Sequence, residues 1–255
     1  MKTFYTNKMP VKVFDTNQAL GAAAAADLGK ILQDHITEYG QAAVIFATGN
    51  SQLSFFGALR QLEGILWRKV TVFHMDEYLG MKASHPASFR RFLHEKIVDF
   101  VHPENFFGIE GETLEFEAEL ARYESLLQDY QPVACVLGIG ENGHLAFNDP
   151  PADFKADRDI QVVKLAQSAR QQQVGEGHFA SLEDVPTQAI TLTIPALMRP
   201  RHVLAVVPES RKAHAVKAAL EAPISPDCPA SILRLHDHVT LYLDRESASL
   251  LDLPV

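Results

Sequence analysis

The chain has 255 residues, 47% of them hydrophobic, and a formal net charge of -9. That length suits one large α/β domain with a sizeable core. The acidic balance excludes a nucleic-acid-binding face, which would need a basic patch, and no apolar run is long enough to span a bilayer.

The N-terminal MKTFYTNKMPVKVFD lacks the apolar run of a signal peptide, so a cytoplasmic setting is expected. Cys135 and Cys228 are too far apart in sequence to form a disulfide framework and fit a reducing compartment. Alternating, β-branched residues 11–14 predict a strand. Asn17 is expected to cap a helix over 18–39, which Gly40 ends. Residues 42–47 (AAVIFA) read as a buried strand, 48–51 as a turn and 52–64 as a helix. A strand is predicted over 70–74, then a helix opened by His85-Pro86 and running to about Phe100. Another helix is predicted over 114–128, before a buried strand over 133–137.

Residues 150–159 are irregular and acidic, and a mobile loop is expected there. Strands are predicted over 160–163, 189–194, 202–207 and 239–243. Helical segments are predicted over 166–173, 195–198, 211–220 (capped by Ser210) and 246–251. Strands alternating with helices predict a doubly wound, Rossmann-like α/β fold: a mainly parallel sheet with helices on both faces, one domain over 1–255.

Four stretches carry candidate chemistry. Thr48-Gly49-Asn50-Ser51 joins a buried strand to a helix start, where free N–H groups and the helix dipole can hold a phosphate. It lacks the endings of a nucleotide P-loop and of the dinucleotide fingerprint, and a well-capped helix is an equal reading. Asp76 and Glu77 are adjacent carboxylates at a strand's end, where open α/β sheets place active-site groups; a cap plus a solvated charge is the alternative. His144 sits on the glycine loop of LGIGENGHLAFNDP, with Asn142 and Asp149 close in sequence. A neutral imidazole can both give and take a proton. Lys212, at a helix start after the 202–207 strand, can reach an anion bound over neighbouring strand ends, or simply be solvated. No histidine cluster has a zinc-ligand spacing.

Taken together, ATGNS (47–51), FHMDEYLG (73–80), HPASF (85–89), LGIGENGHLAFNDP (137–150), VPTQAITLTIPAL (185–197) and PESRKAHAVKAALE (208–221) resemble the glucosamine-6-phosphate deaminase/isomerase family, within the superfamily that includes the 6-phosphogluconolactonases. The resemblance implies a cytoplasmic enzyme of amino-sugar catabolism. It implies a phosphosugar substrate and no cofactor or metal, and a homo-oligomer stays open. It implies that Thr48, Gly49, Asn50, Ser51 and Lys212 hold the phosphate and that Asp76 moves the proton at C2. His144 would assist ring opening, with Asn142 and Asp149 orienting it. Three positions depart from the family. Asn142 stands for an aspartate and Asp149 for a glutamate. A substrate-contacting arginine is missing from the matching stretch, VGEGH (174–178). These departures leave two other readings open: a 6-phosphogluconolactonase-type hydrolase, and a non-catalytic sugar-phosphate sensor.

Overall fold

The computed structural model describes residues 1–252. In chain order the strands are β1 (Lys2–Thr6), β2 (Met9–Phe14), β3 (Ala42–Phe46), β4 (Val70–His74), β5 (Asp76–Tyr78), β6 (Asn105–Phe107), β7 (Ala134–Leu137), β8 (Ile160–Lys164), β9 (Gln188–Leu192), β10 (His202–Val207) and β11 (Val239–Asp244). The α-helices are α1 (Asn17–Tyr39), α2 (Leu53–Leu59), α3 (Phe89–Leu93), α4 (Asp99–Val101), α5 (Phe116–Tyr130), α6 (Gln167–Gly175), α7 (Ile194–Met198) and α8 (Ala213–Glu221).

Eight strands form the main sheet in the order β1-β2-β11-β10-β7-β3-β4-β6, parallel except for the β1–β2 hairpin. Strands 3, 4 and 6 step outward in one direction; β7 then pairs on the opposite side of β3, and β10 and β11 continue that way. The reversal between β3 and β7 is a topological switch point, and it opens a crevice at the carboxyl ends of those two strands.

Side chains alternate across each strand, so both faces must be covered. Val44, Phe46 and Val136 pack with Leu20, Leu28, Phe55 and Phe56 of α1 and α2. Ile45, Cys135 and Leu137 pack on the other face with Leu120, Leu197 and Val216 of α5, α7 and α8.

Several local expectations are corrected. The cap of α1 is Thr16, whose hydroxyl accepts from the Ala19 N–H at 3.2 Å; Asn17 is the first helical residue and accepts instead from Ser54 Oγ of α2. The helix expected over 52–64 is a 3-10 turn, Asn50–Gln52, continued by the short α2. The helix expected from His85 starts after Ser88 and passes through a π-helical turn, His94–Val98, between α3 and α4. Residues 245–250 form turns rather than a closing helix.

Strands 5, 8 and 9 leave the main sheet altogether and form a small antiparallel sheet in the order β5-β9-β8. Tyr78, Phe89, Phe147, Phe179 and Val185 pack into a third apolar cluster, joining this sheet to α3 and the histidine loop.

Candidate active site

The carboxyl ends of β3, β4, β7 and β10 deliver one group each to a single cleft of about 90 Å³. Thr48, Gly49, Asn50 and Ser51 come from β3, Asp76 from just beyond β4, His144 from the loop after β7, and Lys212 from the turn after β10. All of these predicted residues line the cleft. Asn142 and Asp149 stand behind His144 and do not line it. A larger cavity, about 600 Å³, lies at the opposite edge of the sheet beside His35, Tyr130 and Arg201, and holds none of these groups.

Gly49 has φ +95, a conformation in which a side chain is strained, and it turns the chain from β3 into the Asn50–Gln52 turn. The N–H groups at the start of such a turn have no preceding carbonyl in register and face outward. Lys212 is only 2% exposed. Burial lowers its pKa, as does repulsion from Arg211, while Glu176, Glu141 and Glu209 act the other way. Its position depends on Glu209, which adopts φ +82 and whose N–H donates to both carboxylate oxygens of the buried Asp244 at 3.2 Å.

The two adjacent carboxylates divide their work. Glu77 turns inward as a structural acceptor. It receives Ser88 Oγ (2.7 Å), the N–H groups of Phe89 (3.2 Å) and Arg90 (3.1 Å), and Arg90 Nε (3.4 Å), and so anchors the start of α3. Burial raises its pKa and these donors oppose the rise. Asp76 faces the cleft. Burial, then the neighbouring charge of Glu77, push its pKa up to about 8, with no donor opposing them.

His144 is fixed from behind. Asn142 Oδ1 lies 2.7 Å from its Nδ1 and also accepts its backbone N–H at 3.1 Å. An amide oxygen can only accept, so Nδ1 carries the proton and, in the neutral ring, Nε2 is the basic nitrogen. Asn142 Nδ2 donates to Asp149 Oδ1 (3.0 Å), which is itself 3.3 Å from His144 Nδ1. Burial would raise the pKa of Asp149, but His144, Asn142 and the Ala166 N–H together hold it below the usual range. The imidazole lies flat on Gly140: a methyl group there would come within 2.2 Å of Cε1 and Nε2.

Residues 15–242 match the family model described as glucosamine-6-phosphate isomerases/6-phosphogluconolactonase. The chain belongs to this family. Glucosamine-6-phosphate deaminase of Exiguobacterium sibiricum is 38% identical over 223 residues, 87% of this chain and 86% of that protein. Glucosamine-6-phosphate deaminase 1 of Bacillus subtilis is 33% identical over 95% of this chain and 99% of that one. Among solved structures, a monomeric glucosamine-6-phosphate deaminase superposes with a TM-score of 0.85 at 33% identity, covering 94% of this chain and 99% of that one. A 6-phosphogluconolactonase from Shewanella baltica, at 20% identity, TM-score 0.76 and coverage of 92% and 96%, shares the fold.

Within this family fold, sequence reading overlooked three groups that line the cleft. Gln52 Oε1 and Gln173 Oε1 are buried there without a hydrogen-bond partner. Gln52 Nε2 donates to Val206 O (3.3 Å), so the vacant oxygen is the one left to meet a donor. The third is Glu176, just past the end of α6. Burial would raise its pKa, but His178, Arg211 and Gln172 bring it down to about 2. A run of glutamines on α6 carries no signal for any of this; it reads as a solvated helix. Among the described residues no cluster of three or more His, Cys, Asp or Glu side chains could hold a metal ion, and no helix is long and apolar enough to cross a membrane.

Proposed function

We propose that the chain is a cytoplasmic, single-domain aldose–ketose isomerase/deaminase of amino-sugar catabolism. Its substrate is an amino-sugar 6-phosphate, glucosamine 6-phosphate foremost, and its products are a ketose 6-phosphate and ammonia. The observation that carries this reading is the meeting, in one cleft, of a desolvated lysine beside a glycine turn with a buried carboxylate and an oriented histidine. The names of the relatives point the same way.

In this reading Gly49, Asn50, Ser51 and Lys212 bind the phosphate. Lys212 has already been stripped of water, so an anion restores what burial took from it. His144 takes the anomeric hydroxyl proton on Nε2 and returns it to the ring oxygen, which opens the pyranose. Asn142 and Asp149 hold the ring for that transfer. Asp76 removes the C2 proton and delivers it to C1 while a proton passes from the amino nitrogen to O1, converting the open-chain aldose to a C2 ketimine. Water adds at C2, the C–N bond breaks and ammonia departs. A carboxylate with a pKa near 8 suits removal of a carbon-bound proton, because base strength is matched to the working pH.

The test is release of ammonia and ketose 6-phosphate from glucosamine 6-phosphate by the purified protein. No release above background, with galactosamine 6-phosphate also inert, would sink the proposal. Hydrolysis of 6-phosphogluconolactone that survives Asp76→Asn would replace it with the lactonase reading.

A further inference from the structure

Glu176 places a carboxylate in the cleft that contains the Thr48–Ser51 turn and Lys212. Its side chain is 6% exposed. Oε2 lies 4.0 Å from where a methyl on Gly49 would sit, so the acid faces the glycine turn itself. Oε1 accepts from Arg211 Nη1 at 2.6 Å and from Gln172 Nε2 at 2.8 Å, and Oε2 is 3.4 Å from His178 Nε2. Arg211 precedes Lys212 on the same 3-10 turn and is also paired with Glu209 and, at 3.3 Å, with Glu141.

A carboxylate held there opposes any second anion in the cleft. A phosphate can settle on the turn only if Glu176 moves away or loses its charge. Moving away strips Arg211 of a buried partner, which is costly unless another anion replaces it. A phosphate is that replacement, since a planar guanidinium binds two of its oxygens at once. We infer that Arg211 is a second cation for the substrate phosphate, and that Glu176 occupies its guanidinium until the phosphate displaces it. This rests on the phosphosugar reading of the cleft. Glu176 then acts as a gate on affinity. It ties the end of α6 to Arg211 until the phosphate displaces it, and it makes a ligand that lacks the dianion a poor competitor.

Titration calorimetry on the full chain tests this, with inorganic phosphate and glucosamine 6-phosphate as probes and Asp76→Asn as the parent, to prevent turnover. Glu176→Gln is expected to tighten phosphate binding at least about threefold, and Arg211→Gln to weaken it roughly tenfold. The double variant decides the mechanism. If Arg211 contacts the phosphate, Arg211→Gln still weakens binding roughly tenfold in the Glu176→Gln background. If it is silent there, Arg211 only neutralises Glu176 and the inference is overturned. Weaker binding of glucosamine 6-phosphate, but not of phosphate, by Glu176→Gln would make Glu176 an ammonium ligand and also overturn it. Should Arg211→Gln not fold, Arg211→Lys keeps the charge and loses the fork. A loss of about threefold is then expected, and unchanged affinity overturns the inference. A parent that binds neither probe refutes the phosphosugar reading itself, a result distinct from all of these.

Discussion

Asn142 holds His144 at two points: one amide oxygen accepts both the backbone N–H and the Nδ1–H of the histidine, at 3.1 and 2.7 Å. The same amide's nitrogen donates to Asp149 at 3.0 Å. An asparagine is complementary to this carboxylate in a way that an aspartate is not. Asn142→Ala should lower kcat on the order of tenfold to a hundredfold, a share of what positioned proton transfer supplies. Asn142→Asp should also lower it at pH 7, because it sets a second acceptor against Asp149 where a donor now lies. Steady-state kinetics on both variants check this. An increase in turnover with Asn142→Asp would contradict the complementarity. Ligand binding without any turnover in the unmodified chain would select the sensor reading, and turnover restored by Asn142→Asp would strengthen it.

Asp76 sets the pH dependence. Its pKa in the folded protein is raised to about 8, so at neutral pH most of it is protonated, and the base form grows as pH increases. The value of kcat/KM should therefore climb with unit slope from pH 6 and level off near 8. Asp76→Asn should abolish turnover while calorimetric binding of glucosamine 6-phosphate survives. A profile already flat at pH 6 would remove Asp76 from the role of base.

The parts of this site visible in the sequence are those set by strand ends. Apolar runs such as AAVIF and VTVFH can only be buried strands, and the residues after each run must emerge at the sheet's carboxyl edge. Thr48–Ser51, Asp76, His144 and Lys212 are all legible on that basis. Less visible are features decided by tertiary pairing. Residues 76–78 are too few to show any strand period, yet they pair with β9 to start the second sheet. β1 exposes most of its side chains, so its hydrogen bonding to β2, not a hydrophobic pattern, makes it a strand. Glu176 and Gln173 belong to a polar helix and its end, whose inward face is defined only by the cleft it covers.

Gly140 is required by the imidazole lying on it. Any Cβ at this position would meet Cε1, Nε2 and Nδ1 of His144 at 2.2 to 2.4 Å. Gly140→Ala should displace the ring from Asn142, cost about 1–3 kcal/mol of stability through overpacking, and lower kcat by roughly a hundredfold. The phosphate turn comes from the neighbouring strand β3 and does not hold the ring, so affinity for inorganic phosphate should change less than about threefold. Urea denaturation, kinetics and calorimetry on the one variant separate the three effects. Full activity in Gly140→Ala would mean that the ring does not rest where its function requires.

Glu77 links stability to chemistry. Its side chain has no exposure and is surrounded by donors from Ser88, Phe89 and Arg90, so Glu77→Ala leaves Arg90 partly unpaired and the start of α3 without its acceptor. Breaking a buried pair in this way should cost about 3–5 kcal/mol, read as a lower urea midpoint. Glu77→Gln is milder and more informative. It keeps an acceptor oxygen for Ser88 and removes the charge beside Asp76. That charge is the second cause, after burial, of the raised Asp76 pKa. Removing it lowers the Asp76 pKa, so the rising limb of kcat/KM should move to lower pH while the fold is retained. An unchanged limb in a folded Glu77→Gln protein would show that burial alone sets the Asp76 pKa. A limb moving to higher pH would show that Glu77 does not act on Asp76 as a negative charge.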